Sequence, residues 1–151
     1  MQIIICKAER RLYLMEGNTQ LLDCRVALGR EPKGPKRMQG DGRTPEGVYF
    51  ICLVKEQGKY GRSLGLSYPG AGDAQLAFQE DRIDGRTLAN VCQAQSRHLR
   101  PPWGSPLGGE IYIHEGGSQT DWTQGCIALD AQDMDRLFPY WPQVDEVRIV
   151  P

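Results

Sequence analysis

Short apolar runs along this chain alternate with polar stretches rich in glycine and proline, and few of the runs carry helical spacing. Gln2–Cys6 and Arg11–Glu16 read as two short strands, Gly17-Asn18 as a turn, and Thr19–Leu28 as a third extended run. In Arg11–Glu16, Leu12 and Leu14 alternate with Tyr13 and Met15, so both faces are expected to be partly covered. Gly29–Thr44 is basic, Gly/Pro-rich and aperiodic, which predicts a loop. Gly47–Val54 (GVYFICLV) is the strongest strand signal, dense in β-branched and aromatic residues.

The middle of the chain changes character. Between Gly70 and Gln95 apolar residues thin out, and Leu88, Val91 and Cys92 fall at i, i+3, i+4, predicting one or two short inserted helices. Arg97–Gly109, with Pro101, Pro102 and Pro106, is expected to be irregular. Glu110–Ile113 and Gly125–Leu129 follow as short extended pieces. Asp130 then reads as a helix N-cap, with Asp133 in a capping-box-like position and Met134, Leu137 and Phe138 as the buried stripe. Pro139 and Pro142 should end that helix, and Glu146–Val150 returns as a last strand. The 18 glycines and 10 prolines exceed what a helical bundle tolerates, which favours a turn-rich β domain. With no internal repeat, residues 1–151 are expected to form one domain long enough to bury a core.

Charge removes some partners. Lys+Arg number 18 against 19 Asp+Glu, so no overall field recruits nucleic acid or an anionic membrane. The five cysteines, Cys6, Cys24, Cys52, Cys92 and Cys126, are well separated, form no CxxC pair and have only His98 and His114 to join them. That argues against a metal site or a disulfide framework. Cys6, Cys24, Cys52 and Cys92 read as small buried apolar residues, and His98 as structural or superficial. Met1–Cys6 is too short for a signal core or a membrane span and lacks a basic leader. Either the protein works where it is made or its leader is missing from this sequence.

Ile111–Leu129 (IYIHEGGSQTDWTQGCIAL) departs from a plain β domain. A histidine ends an apolar strand, a polar loop follows, and Gly125-Cys126 leads into another apolar strand. A thiol attacks a carbonyl as thiolate and needs a base in reach, the role that suits His near neutral pH. Gly125 allows close backbone approach or a positive φ, and N–H groups around Gly125 and Cys126 could hold a developing oxyanion. On residue chemistry alone, Cys126 reads equally as a packing cysteine, His114 as a satisfied core histidine, and Glu115-Gly116-Gly117 as an ordinary turn.

At these residues the chain resembles the L,D-transpeptidase catalytic domain family (YkuD-type). His114, a loop, and Thr123-Gln124-Gly125-Cys126-Ile127-Ala128-Leu129 match its signature of His, then Ser/Thr-x-Gly-Cys and an apolar strand. Gly40–Tyr49 (GDGRTPEGVY), Gly104–Gly109 and Val26–Arg30 (VALGR) fit its upstream motifs in the same order, so the resemblance covers nearly the whole chain. It implies a mainly β fold, a single β-sandwich-like domain with a few short helices, acting as a monomer.

The resemblance implies an enzyme whose cysteine is acylated by the third residue of a peptidoglycan stem, at an L-to-D peptide bond, before passing the acyl group to an amine or to water. Cys126 would be the nucleophile and His114 the base. Gly125 and Gln124 would shape the turn presenting the thiol, and a main-chain carbonyl of Glu115 or Gly116 would orient the imidazole. Thr123, Trp122, Tyr112 and Arg43 are candidate substrate contacts. Arg30, Lys33, Lys36, Arg37 and Arg43 form a basic loop able to meet carboxylates or simply to be solvated. Carbapenem-type inhibitors would label the thiol, the resemblance implies no metal or cofactor, and the substrate implies the cell envelope.

Three positions depart from the family pattern. His114 and Cys126 are only twelve positions apart, Gln124 stands where many relatives have a second histidine, and Glu115 follows His114 where Gly is common. The short loop and Leu66–Gly70 (LSYPG) look more like a compact subgroup that includes cell-wall amidases and hydrolases. A carboxypeptidase or amidase using water, and a non-catalytic peptidoglycan-binding module, therefore stand beside the transpeptidase reading. Sortase also places His before Cys, but with a far longer separation and a different Cys motif.

Overall fold

The computed structural model describes residues 1–151. The first three strands, β1 (Gln2–Cys6), β2 (Arg11–Glu16) and β3 (Thr19–Arg25), form an antiparallel meander. Strand β9 (Glu146–Val150) lies parallel beside β1, and β4 (Gly47–Tyr49) closes that sheet in the order β3-β2-β1-β9-β4. A second sheet takes β5 (Ile51–Gly58), β6 (Gly61–Leu66), β7 (Tyr112–Glu115) and β8 (Ile127–Leu129) in that order, with only β7 and β8 parallel. Alternation along the strands turns Ile3, Ile5, Leu12 and Leu14 from one sheet, and Leu64, Leu66, Ile113 and Ile127 from the other, into one shared core. Tyr13 and Met15 are half-buried, as the alternation within Arg11–Glu16 leads one to expect.

Two expected strands are divided. The apolar run Gly47–Val54 breaks at Phe50, where β4 leaves the first sheet and β5 enters the second. Ser67, fully buried, takes the Phe50 N–H at 2.9 Å and gives its own N–H to the Phe50 carbonyl at 2.9 Å, which satisfies the backbone at the crossing. The run Thr19–Leu28 likewise stops as a regular strand at Arg25. Beyond it the backbone makes isolated bridges, Ala27 to Ala128 and Gly29 to Thr123.

Strand β6 has no counterpart in the sequence reading, because its glycines and its burial on both faces erase any alternation. Strand β7 begins two residues later than expected, since Glu110 adopts a positive φ of 56°.

Between β6 and β7 lie helices α1 (Ala71–Gln79) and α2 (Gly85–Ser96), the latter capped by Asp84, which accepts the Thr87 N–H. They bury a small core of their own, Ala74, Ala77, Ile83, Val91 and Leu107. Helix α3 (Ala131–Leu137) follows β8 with Asp130 at its N-cap, but the Asp130 side chain makes no cap bond and Asp133 completes no capping box. The Asp130 carboxylate accepts instead from the Ser118 N–H at 3.0 Å, tying the loop after His114 to the helix start. Helix α3 stops at Leu137, ahead of Pro139 and Pro142 as expected. They fall inside a 3₁₀ turn, Phe138–Gln143, which tightens the same run, and Phe138 is only half-buried. Of the four cysteines read as core, only Cys24 is buried; Cys6, Cys52 and Cys92 are half-buried. His98 is exposed and stacks on Phe50.

The loop 29–46 is held down by a buried cation. Lys7, 3% exposed, donates to the Gly34 and Thr44 carbonyls at 2.9 and 2.7 Å and pairs with Glu46 at 3.0 Å. Burial lowers its pKa, with Glu46 opposing. Lys7→Ala would strand the Glu46 carboxylate and two carbonyls, a loss of about 3 kcal/mol. Urea unfolding checks this, and an unchanged midpoint would show that water replaces the ammonium without cost.

Candidate active site

Register sets the site. The parallel pairing of Ile113 with Ile127 and His114 with Ala128 puts Cys126 just before β8, level with Tyr112, so His114 and Cys126 leave the same face of the sheet. Both line one cleft of about 380 Å³, together with Tyr60, Ser63, Tyr112 and Trp122.

The histidine is tightly defined. Its Nδ1 bonds the Glu115 carbonyl. A carbonyl only accepts, so Nδ1 carries the proton and Nε2 is left as the basic nitrogen. Of the two carbonyls expected for this role, Glu115 supplies it. Burial lowers the imidazole pKa, and the Glu115 bond raises it in part. The Glu115 side chain turns away to pair with Arg62 at 3.0 Å. Gly116, at φ +126°, leaves room for the indole of Trp122, since a Cβ there would sit 2.8 Å from Cζ2. Trp122 in turn donates Nε1–H to the Gly117 carbonyl at 3.0 Å, so it both anchors the loop and forms a wall of the cleft.

The thiol rests on main chain. Cys126 Sγ donates to the Glu110 carbonyl and accepts from the Tyr112 N–H, both at 3.4 Å, and no hydrogen bond joins it to the imidazole. Burial raises its pKa, while the Tyr112 N–H and the charge of Lys36 pull it down. The resting pair is therefore a neutral thiol and a neutral imidazole.

Behind the thiol, Gly125 adopts φ +136°, and a Cβ would lie 2.6 Å from the Arg43 carbonyl oxygen. Only glycine fits where loop 29–46 crosses it. Thr123 Oγ1 braces the turn, donating to the Cys126 carbonyl at 2.7 Å and accepting the Gly125 N–H at 3.1 Å. The Gly125 donor is thus occupied, whereas the N–H groups of Gln124 and Cys126 meet no protein acceptor.

Of the sequence-predicted contacts, Thr123, Trp122, Tyr112 and Gln124 line the cleft. Arg43 does not; its guanidinium lies against Gly34 and only its backbone reaches Gly125. From the basic loop, Arg30 and Lys36 line the cleft, while Arg37 pairs with Glu80 outside it. Lys36 is buried and bonds Asp41 at 2.8 Å and the Met38 carbonyl at 3.1 Å.

The hairpin between β5 and β6 went unread in the sequence, yet it adds Lys55, Lys59, Tyr60 and Ser63 to the cleft. Its only local mark is the Gly58–Gly61 turn. Arg30, Lys55 and Lys59 thus join Lys36, which Asp41 already pairs, in a cleft whose one lining carboxylate is Glu110, although the chain as a whole is nearly neutral.

Solved structures share this two-sheet architecture. The helical cell shape determining protein Pgp2 from Campylobacter jejuni aligns with a TM-score of 0.65 at 19% identity, over 98% of this chain and 46% of that one. Bd1075 of Bdellovibrio bacteriovorus aligns at 0.57 and 16% identity, again over 98% and 46%. An L,D-transpeptidase from Xylanimonas cellulosilytica gives 0.56 and 12%, over 99% and 59%. At such identities the likeness defines the fold, that of an L,D-transpeptidase catalytic domain, and the chain spans about half the length of these relatives. No curated protein shows a significant match to the sequence. The family model for the L,D-transpeptidase catalytic domain (YkuD) matches residues 1–149, and the chain belongs to that family.

Proposed function

We propose that this domain is a cysteine acyl-transfer enzyme acting on peptidoglycan stem peptides in the cell envelope. The observation that carries the reading is the oriented imidazole: Nδ1 fixed on the Glu115 carbonyl, Nε2 basic, on the same cleft wall as Cys126. Nε2 removes the Sγ proton, and the thiolate attacks the carbonyl carbon of the third stem residue. The oxyanion that forms is met by the unpaired N–H groups of Gln124 and Cys126. Collapse breaks the C–N bond, and the imidazolium returns its proton to the leaving amine. A thioester remains on Cys126. An amine or a water then attacks it, giving its proton through Nε2 to the departing thiolate.

The cationic lining favours a donor bearing free carboxylates. The same charge opposes entry of an ammonium-bearing acceptor but not of water. This gives the hydrolytic outcome, an L,D-carboxypeptidase, specific support as the second reading.

A defined tetrapeptide stem, incubated with and without an amine acceptor, separates the two. Transfer predicts a new amide product only with acceptor present, and hydrolysis predicts the tripeptide in both. No reaction in either, alongside sedimentation with purified sacculi, would replace the catalytic reading with a binding module.

A further inference from the structure

One residue of the cleft plays no part in the acyl transfer just described, yet it makes the closest ring contact with the imidazole. Tyr60, in the turn between β5 and β6, stacks on His114 with ring centroids 4.8 Å apart and planes 19° apart. Trp122 meets the same imidazole edge-on at 5.7 Å and meets Tyr60 at 5.2 Å, so the histidine sits in a three-ring box.

The turn that carries Tyr60 is fastened from the histidine strand itself. The Glu115 carboxylate accepts the Arg62 N–H at 2.6 Å and pairs with Arg62 Nε at 3.0 Å. Arg62 also pairs with Asp135 of α3 at 2.6 Å. Glu115 therefore touches the histidine twice: its carbonyl holds Nδ1, and its carboxylate holds the turn whose tyrosine covers the ring. A glycine here, common in the family, could do only the first.

We propose that Tyr60 is a positioning residue for His114, clamped over the imidazole by the Glu115–Arg62 pair. The clamp rests on the reading of His114 as the base. Stacking fixes the ring plane, and exclusion of water from that face keeps the imidazole neutral and ready to accept a proton. The groups around the ring are the Glu115 carbonyl, Ser63 opposite on β6, the Cys126 thiol, Trp122, and Tyr60 with the Lys59 ammonium 5.3 Å above its ring. Beyond the turn stands the Arg62–Glu115–Asp135 cluster. Cys126, Tyr60, Tyr112, Glu110 and three lysines, Lys36, Lys55 and Lys59, are further titratable side chains that line the cleft with the imidazole.

The test follows the histidine by proton NMR titration, with His98→Gln to assign the only other imidazole. Tyr60→Ala is expected to move the His114 midpoint up toward the ordinary imidazole value, and Tyr60→Phe to leave it in place. Glu115→Gln, which keeps the carbonyl and weakens the latch, should move it in the same direction by less. This second variant guards against loss of structure in the first.

In parallel, iodoacetamide alkylation of Cys126 across pH should slow about tenfold at neutral pH in Tyr60→Ala and recover in Tyr60→Phe. A His114 midpoint unmoved in folded Tyr60→Ala and Glu115→Gln would overturn the clamp, whatever the alkylation does. A moved midpoint, with alkylation indifferent to both Tyr60→Ala and His114→Ala, would uphold the clamp and instead remove His114 as the base.

Discussion

Replacing Cys126 by alanine is expected to reduce stem-peptide turnover by about ten-thousandfold or more, with the fold intact. The side chain is half-buried and its partners are two main-chain groups, the Tyr112 N–H and the Glu110 carbonyl, which the cleft's water can take over. Stability should therefore change little while chemistry disappears. Cys126→Ser sharpens the point. The hydroxyl fits the same place, but its pKa lies far above that of a thiol, so a base that suffices for sulfur leaves it a poor nucleophile. Turnover and urea unfolding on the same preparations separate the two effects. Substantial turnover in Cys126→Ala would mean that the thiol is a packing residue after all.

The second large effect belongs to His114. His114→Ala should lower kcat/KM by about a thousandfold at neutral pH, in the range of a lost general base. The pH profile carries the diagnosis. Burial lowers the imidazole pKa, so the wild-type rate should rise through a midpoint below the ordinary histidine range and run flat across neutral pH. Burial also raises the thiol pKa, so few thiolates form unaided there. Without the imidazole, the rising limb should move up to the thiol's own elevated pKa, and activity should return only in alkali. A variant with the wild-type limb would assign that limb to another group.

The pair proposed as nucleophile and base stands out because its surroundings leave sequence marks. The apolar strand Ile111–Ile113 ends in His114, and Thr123-Gln124-Gly125-Cys126 precedes a second apolar strand with a fixed φ-positive glycine. Strands β1 and β2 of the first sheet were legible through alternation, as in Ile3 and Ile5 or Leu12 and Leu14.

What escaped lay where side-chain pattern and backbone course part company. GVYFICLV is one apolar run, yet its backbone changes sheets at Phe50, and the residue that makes this possible, Ser67, stands 17 positions later. Strand β6 is buried on both faces and holds two glycines, so neither period nor propensity marks it. The wall it builds with β5, including Tyr60 and two lysines, was hidden with it. Asp130 illustrates a different limit. Its place at the N-cap was readable, but its carboxylate serves the Ser118 N–H, a partner twelve residues back that no local rule selects. Arg43 shows the reverse, a charged residue in a family motif whose contribution beside the turn is its carbonyl.

The basic cleft is the part of the site that composition concealed. The 18 cations and 19 anions cancel over the whole chain, but folding places Arg30, Lys55 and Lys59 along the cleft without an ion-pair partner, beside Glu110 and the Lys36–Asp41 pair. The loop 29–46 and the β5–β6 hairpin build the walls of the cleft, while β7 and the turn before β8 carry the pair proposed to do the chemistry.

Mass spectrometry of the intact protein, acid-quenched during turnover of a tetrapeptide stem, looks for the acyl-enzyme itself. A transient mass increase equal to the tripeptide acyl group is expected, mapped by digestion to the peptide carrying Cys126 and absent from Cys126→Ala. Turnover without any adduct on Cys126, or the same adduct on the alanine variant, would contradict an acyl-enzyme on Cys126.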